Sequence, residues 1–239
     1  MELDARFRDA VAHFWDALER QAQKQREAGK IDAGTRGAVT GGTQMGAIEV
    51  LIRDILVDAG LQGLDIRTRT ALELPGYYRT EKKWDLLVVS EGQLVLAVEL
   101  KSQVGSFGNN LNNRVEEAIG NATDLWTAYR EDRFGMAAPR PFLGYFFLLE
   151  DVPEVHRAVR SKEPYFKVDP IFLGASYAKR YQVLCERLIL ERLYTASCLT
   201  LSAREPLKVD HPSPALSFRA FAAAIEGHAL TFRKTMKQQ

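Results

Sequence analysis

The stretch WDLLVVSEGQLVLAVELKSQ, residues 84 to 103, places Asp85 at the head of one apolar run and Glu99 and Lys101 at the tail of the next. Side chains alternate along a strand, so Glu99 and Lys101 point to one face. Folded as a hairpin about Glu91 and Gly92, the stretch sets Ser90 against Gln93. Counting back puts Asp85 opposite Val98, next to Glu99. Asp85 reaches the face of Glu99 if the turn carries one extra residue or a strand bulges. The two carboxylates then lie about 5 to 7 Å apart. Carboxylates that close repel unless positive charge sits between them. Magnesium suits the pair, because it is hard, takes oxygen ligands and commonly uses one or two carboxylates plus a substrate phosphate. It would polarise a phosphoryl oxygen and acidify a water, with Lys101 orienting that water or steadying developing charge. The implied chemistry is phosphodiester hydrolysis with Asp85 and Glu99 as metal ligands. Glu49, at the edge of an apolar helical stripe beside Met45 and Leu56, is a candidate third acid. Strand ends also carry charge simply where they emerge into solvent, and Glu49 equally fits a boundary residue with its head in water. Spacing alone leaves these readings open.

The elements that must position these residues follow from periodicity. Apolar residues at three- and four-residue steps predict helices over 3–28, about 43–59, about 111–130, 176–194 and 213–234. Alternation predicts a strand over 66–74, and PGYYRTEKK, 75 to 83, reads as a turn. The runs LLVV and LVLAV are near-continuously apolar, as in sheets buried on both faces. PFLGYFFLLE and SCLTLS are further strands, and 151–173 is a proline-punctuated connection. Helices around a few central strands predict one α/β domain spanning residues 1–239.

Two segments suit a polyanionic partner. Residues 33–46 carry Gly34, Gly37, Gly41, Gly42 and Gly46 with Arg36 and Thr43, and no GK[ST] signature. Bare backbone amides and hydroxyls there fit phosphate contact, or simply a connecting loop. The second segment runs from Gln103 to Glu117. It packs Asn109, Asn110, Asn112, Asn113 and Arg114 into six residues. Asparagine matches the adenine edge and arginine the guanine edge, although Asn110 and Asn113 also fit helix capping. We expect base readout from Gln103, Asn109, Asn110, Asn113 and Arg114.

The net charge of +1 advertises no global basic field, so any nucleic-acid contact is local. The two cysteines, Cys185 and Cys198, form no CxxC and read as buried thiols. The four histidines do not pair at zinc-ligand spacing. No signal peptide and no membrane-length apolar run is found, which predicts a cytoplasmic protein with no membrane partner.

The strings RGAVTGG, LPGYYR, WDLLVV, VELKSQVG, FGNN, NNRVEEAIG and GASYAKRY, in that order, resemble the XhoI family of type II restriction endonucleases. The resemblance runs from about Phe14 to Ser202. It implies a PD-(D/E)XK core, a mixed β-sheet flanked by helices, and Mg2+-dependent cleavage of double-stranded DNA at a palindrome. CTCGAG or a close relative, cut to leave 5′ overhangs, is the implied site. Matched residue by residue, Asp85 is the first acid, and Glu99 and Lys101 are the ExK pair. Trp84 stands where a proline often precedes that acid. A palindrome presents two equivalent bonds, so a homodimer is expected, together with a companion DNA methyltransferase that protects host sites. The rival expectations are a structure-specific or repair nuclease on the same core, and a DNA- or NTP-binding module whose acids are structural.

Overall fold

Alternation along the strands decides which layer covers which side of the sheet. The computed structural model of the chain describes residues 2–27, 43–135 and 139–236. Six strands form one sheet: β1 (Ile66–Arg67), β4 (Leu86–Ser90), β5 (Gln93–Gln103), β6 (Phe142–Glu150), β7 (Ala196–Ala203) and β8 (Lys208–Asp210), lying side by side in that order. β5, β6 and β7 run parallel, and β1, β4 and β8 complete the edges by antiparallel pairing. A separate small sheet pairs β2 (Glu73–Pro75) with β3 (Glu81–Lys83).

Each face of the main sheet has its own core. Leu86, Val88, Val98, Leu100, Phe146 and Cys198 face α1 (Glu2–Glu27), α2 (Gly46–Asp58) and α6 (Phe218–Met236). Leu87, Ala97, Tyr145, Phe147 and Leu199 face α3 (Phe107–Arg130) and α5 (Tyr177–Leu190). A one-turn helix, α4 (Pro153–His156), follows β6. The stripe Phe7, Val11, Phe14 and Trp15 docks α1, each large side chain contributing about 1.5–3 kcal/mol. Glu2 and Asp4 at its start and Lys24 and Arg26 at its end complement the helix dipole. α2 stops at Gly60, whose φ of +87° suits glycine. Both crossovers in the parallel block use helices of the second face, α3 and α5. Cys185 and Cys198 are buried free thiols, the first raised to about 12 by burial.

Several boundaries move. The strand expected over 66–74 is two short strands in two different sheets, because Ala71 at φ +56° breaks the run. Residues 81–83, expected within a turn, pair as β3. α3 begins at Phe107, four residues before the expected start, so the asparagines sit on a helix and not on a loop. α5 ends at Leu190, and α6 begins only at Phe218, after a 3-10 turn at Pro214–Leu216.

Candidate active site

A single extra residue brings Asp85 to Glu99. Ser90 pairs with Gln93 and Val89 with Leu94, but Val88 pairs with Leu96, so Val95 is bulged out of register. From there Leu87 faces Ala97 and Leu86 faces Val98, and the next step sets Asp85 level with Glu99. Cross-strand partners share a face. Asp85 therefore lies with Glu99 and Lys101 on the side of α3 and α5. Its Oδ2 accepts the backbone N–H of Leu100 at 2.7 Å, which ties it between the other two. The carbonyl of Val95 receives a hydrogen bond from His228 Nε2 of α6 at 3.0 Å. A bulge leaves backbone groups outside the ladder, and here a side chain from the neighbouring layer satisfies one.

Glu99 is buried, 2% exposed, and both of its oxygens meet ammonium groups. Oε1 pairs with Lys101 and Oε2 with Lys82, the latter at 2.7 Å. Burial would raise the Glu99 carboxyl, but Lys101 and Lys82 outweigh it and hold it below the ordinary range. Lys101 is raised, since Glu99 and Asp85 overcome its own burial. Asp85 moves the other way. Burial and then Glu99 push its carboxyl up, against the pull of Lys101 and the Leu100 amide. Glu49, in the first turn of α2, is pushed up to about 7 by burial and then by Asp85. Asp85 thus acts on Glu49 across the gap between the sheet edge and α2.

Lys82 escaped the sequence reading as a member of this group. It lies on β3 of the small sheet, its Nζ 4.4 Å from the centre of the Trp84 ring. The signal was present in the basic stretch just before Asp85, but only the separate hairpin folds it over Glu99. That hairpin is anchored by Asp124 of α3. Its carboxylate accepts the amides of Tyr77 and Tyr78 at 2.8 and 2.9 Å and Arg79 Nε at 2.7 Å.

The expected DNA contacts are placed unevenly. Asn109 and Asn113 are exposed on the first turns of α3, eight and twelve residues after Lys101. The helix N-cap is Ser106, without a side-chain cap, so neither Asn110 nor Asn113 has the capping role. Asn110 instead donates back to the Ser106 carbonyl at 3.1 Å. Arg114 pairs with Glu117 at 2.5 Å. Gln103 is 4% exposed and its Nε2 donates to the Gly105 carbonyl, which shapes the loop ahead of α3. Thr43 opens the 3-10 turn before α2. Arg36 lies outside the described residues.

The donor set suits a divalent ion. Among the described residues, Asp85 and Glu49 form no ion pair with a cationic side chain, whereas Glu99 forms two. No three acidic, histidine or cysteine side chains among the described residues already converge on one point. Asp85, Glu99 and Glu49 offer hard carboxylate oxygens, the kind of donor that a hard divalent ion takes. No helix among the described residues is long and apolar enough to cross a membrane.

Comparison with known proteins bears on the same segment. Residues 24–213 match the family model described as restriction endonuclease XhoI. Type II restriction enzyme BstVI of Geobacillus stearothermophilus is 49% identical over 186 residues, 75% of this chain and 83% of that protein. Type II restriction enzyme XhoI of Xanthomonas vasicola is 48% identical over 193 residues, 80% and 77% of the two chains. Type II restriction enzyme AbrI of Azospirillum brasilense is 47% identical over 168 residues, 70% and 75%. No solved structure matches. With a family model that covers most of its length, this chain belongs to the XhoI family of restriction endonucleases.

Proposed function

We propose that this restriction endonuclease hydrolyses both strands of DNA at CTCGAG or a close relative, with Mg2+, leaving 5′ overhangs. Asp85, Glu99 and Lys101 carry the reaction on a PD-(D/E)XK core within a single domain over 1–239. The observation that supports this most is the bulge at Val95, which sets Asp85 level with Glu99 and on its face. Asp85 and Glu99 would hold the ion, with Glu49 facing it from α2. A bound magnesium ion supplies charge that polarises a phosphoryl oxygen and makes water more acidic. Lys101, kept protonated by Glu99 and Asp85, donates to the oxygen on which negative charge develops. Leu100 fixes the Asp85 carboxylate through its amide, so that group enters the reaction already oriented.

Asn109, Asn110, Asn113 and Arg114 read base edges from the first turns of α3, while Arg36 and Thr43 contact backbone phosphates. Gln103 supports the loop that sets the helix start. One such site cuts one strand, so a homodimer serves the palindrome. A companion methyltransferase guards the host's own sites, and the enzyme works in the cytoplasm.

The test is digestion of a mapped plasmid with magnesium, followed by sequencing of the ends. Discrete fragments with 5′ overhangs at one palindrome are expected, and Asp85→Ala, Glu99→Ala and Lys101→Ala should each lose cleavage with the fold intact. Cleavage at junctions or without sequence preference would sink the site-specific reading. Full activity of Asp85→Ala would sink the residue assignment.

A further inference from the structure

The segment after β6 leaves the sheet at the same end as Lys101. Glu150 closes β6 and accepts the Gly105 amide at 2.9 Å, just past Gln103 at the end of β5. Residues 157–176 follow α4 and lead into Tyr177, the first residue of α5, whose ring centre lies 6.2 Å from that of Phe107, the first residue of α3. The C-terminal end of the segment therefore meets the helix start that carries Asn109 and Asn110.

It presents Tyr165 and Phe166, 88% and 86% exposed, the two most exposed large apolar side chains among the described residues. The chain around them is fastened. Arg180 donates to the carbonyls of Val159 and Ala175 at 3.0 and 3.2 Å. Glu163 accepts the Val168 amide at 3.0 Å and Lys167 Nζ at 3.2 Å, closing the turn beneath the two rings. Arg157, Arg160, Lys162 and Lys167 are exposed in the same stretch, and the acid between them, Glu163, is occupied by the turn itself. A fixed turn holding two aromatic rings in water, with cations on both sides, is built to meet something outside the molecule.

We propose that the turn at 162–167 is a separate DNA-contacting element, in which Tyr165 and Phe166 pack on base or sugar edges flanking the site while Arg160, Lys162 and Lys167 engage phosphates. The proposal rests on the nuclease reading above. Aromatic faces accept any base, apolar side chains wedge between base steps, and cations replace the counterions of the duplex. Glu150, where the chain leaves the sheet toward the turn, is five residues beyond Tyr145, the register partner of Glu99. At about 3.3 Å per residue this exit point is roughly 16 Å from the level of Glu99, a span of about five base pairs.

The experiment uses the full chain, a 30-base-pair duplex containing CTCGAG, and calcium to hold the complex uncut. Tyr165→Ala/Phe166→Ala should bind at least tenfold more weakly at every salt concentration, with the salt slope and melting temperature unchanged. Tyr165→Phe/Phe166→Tyr should restore affinity. Arg160→Gln/Lys162→Gln/Lys167→Gln should flatten the slope by roughly 0.9 for each phosphate no longer neutralised. Wild-type affinity of the double alanine variant overturns the proposal. So does loss of the dimer in sedimentation with unchanged affinity per dimer, which would mark the turn as an interface between copies. In both cases wild-type cleavage in magnesium persists. Absence of wild-type cleavage would instead strike at the nuclease reading, and the wedge would fall with it.

Discussion

Lys82 Nζ lies 2.7 Å from Glu99 Oε2, joining a three-residue strand of the small sheet to the middle of the longest strand of the main one. Lys101 already occupies the other oxygen. Glu99 thus carries two ammonium groups before any further cation arrives. A divalent ion held by Glu99 must compete with them. Lys101 is fixed on the same strand, whereas Lys82 belongs to the hairpin, so Lys82 is the one to give way.

Lys82→Gln should therefore raise metal affinity in the absence of DNA, measured by calcium titration calorimetry. The pair is buried, and losing one charged hydrogen bond is worth about 1–3 kcal/mol. At 1.4 kcal/mol per decade, roughly a tenfold gain is expected. Lys82→Arg should keep the wild-type value. Equal or weaker binding by Lys82→Gln would show that the lysine assists the ion instead of excluding it.

Glu49 gives a pH signature. Its carboxyl sits at about 7 in the fold against an ordinary 4.5, through burial and then Asp85. A raised acid favours the folded state while protonated, so its contribution is full below about pH 4.5 and is lost as pH rises through 7. Metal-free protein should therefore melt lower at pH 8 than at pH 6, and Glu49→Gln should flatten that difference. Calcium affinity should rise over the same interval, because a ligand must be ionised. An unchanged melting profile in Glu49→Gln would remove Glu49 from the site.

His228 acts on the site through the bulge. His228→Leu removes the donor from the Val95 carbonyl and should cost about 1–3 kcal/mol, read as a lower melting temperature. As a positioning residue it should lower kcat more than it raises KM, and His228→Gln, which keeps a donor, should recover part of both. Stability lost with kcat intact would leave it a structural role alone.

Asn109, Asn113 and Arg114 are separable from the cutting residues. Alanine at each should leave melting nearly unchanged, since none is the N-cap of α3. Removing a bidentate bond to a base should cost ~1–3 kcal/mol of discrimination between the cognate site and a one-base variant. Equal weakening on both sequences would assign the residue to the backbone instead.

The sequence made the layers legible because buried strands and amphipathic helices write their period directly. LLVV and LVLAV became β4 and β5, and the candidate acids stood at their edges. The small sheet was not legible. IRTRTALEL alternates like one strand, and nothing in its pattern announces that Ala71 turns left-handed and sends the chain to another partner. The pairing of Lys82 with Glu99 was not legible for the same reason, since it depends on that hairpin and on Asp124 from α3. The spacing of Asp85 and Glu99 allows a bulge, but a period of two cannot say which residue steps out.

Val95 acts as a parity bit in the spacing between Asp85 and Glu99. Without it the hairpin sums would pair Asp85 with Val98, whose side chain belongs to the opposite core. Lengthening the hairpin by a rung adds two residues and preserves the match. Adding or deleting one residue inverts it, unless the bulge is lost or gained at the same time. Deleting Val95 alone should leave a folded sheet that has lost its reaction. Relatives whose acids are spaced differently should differ by even numbers, or else show the compensating change in the ladder.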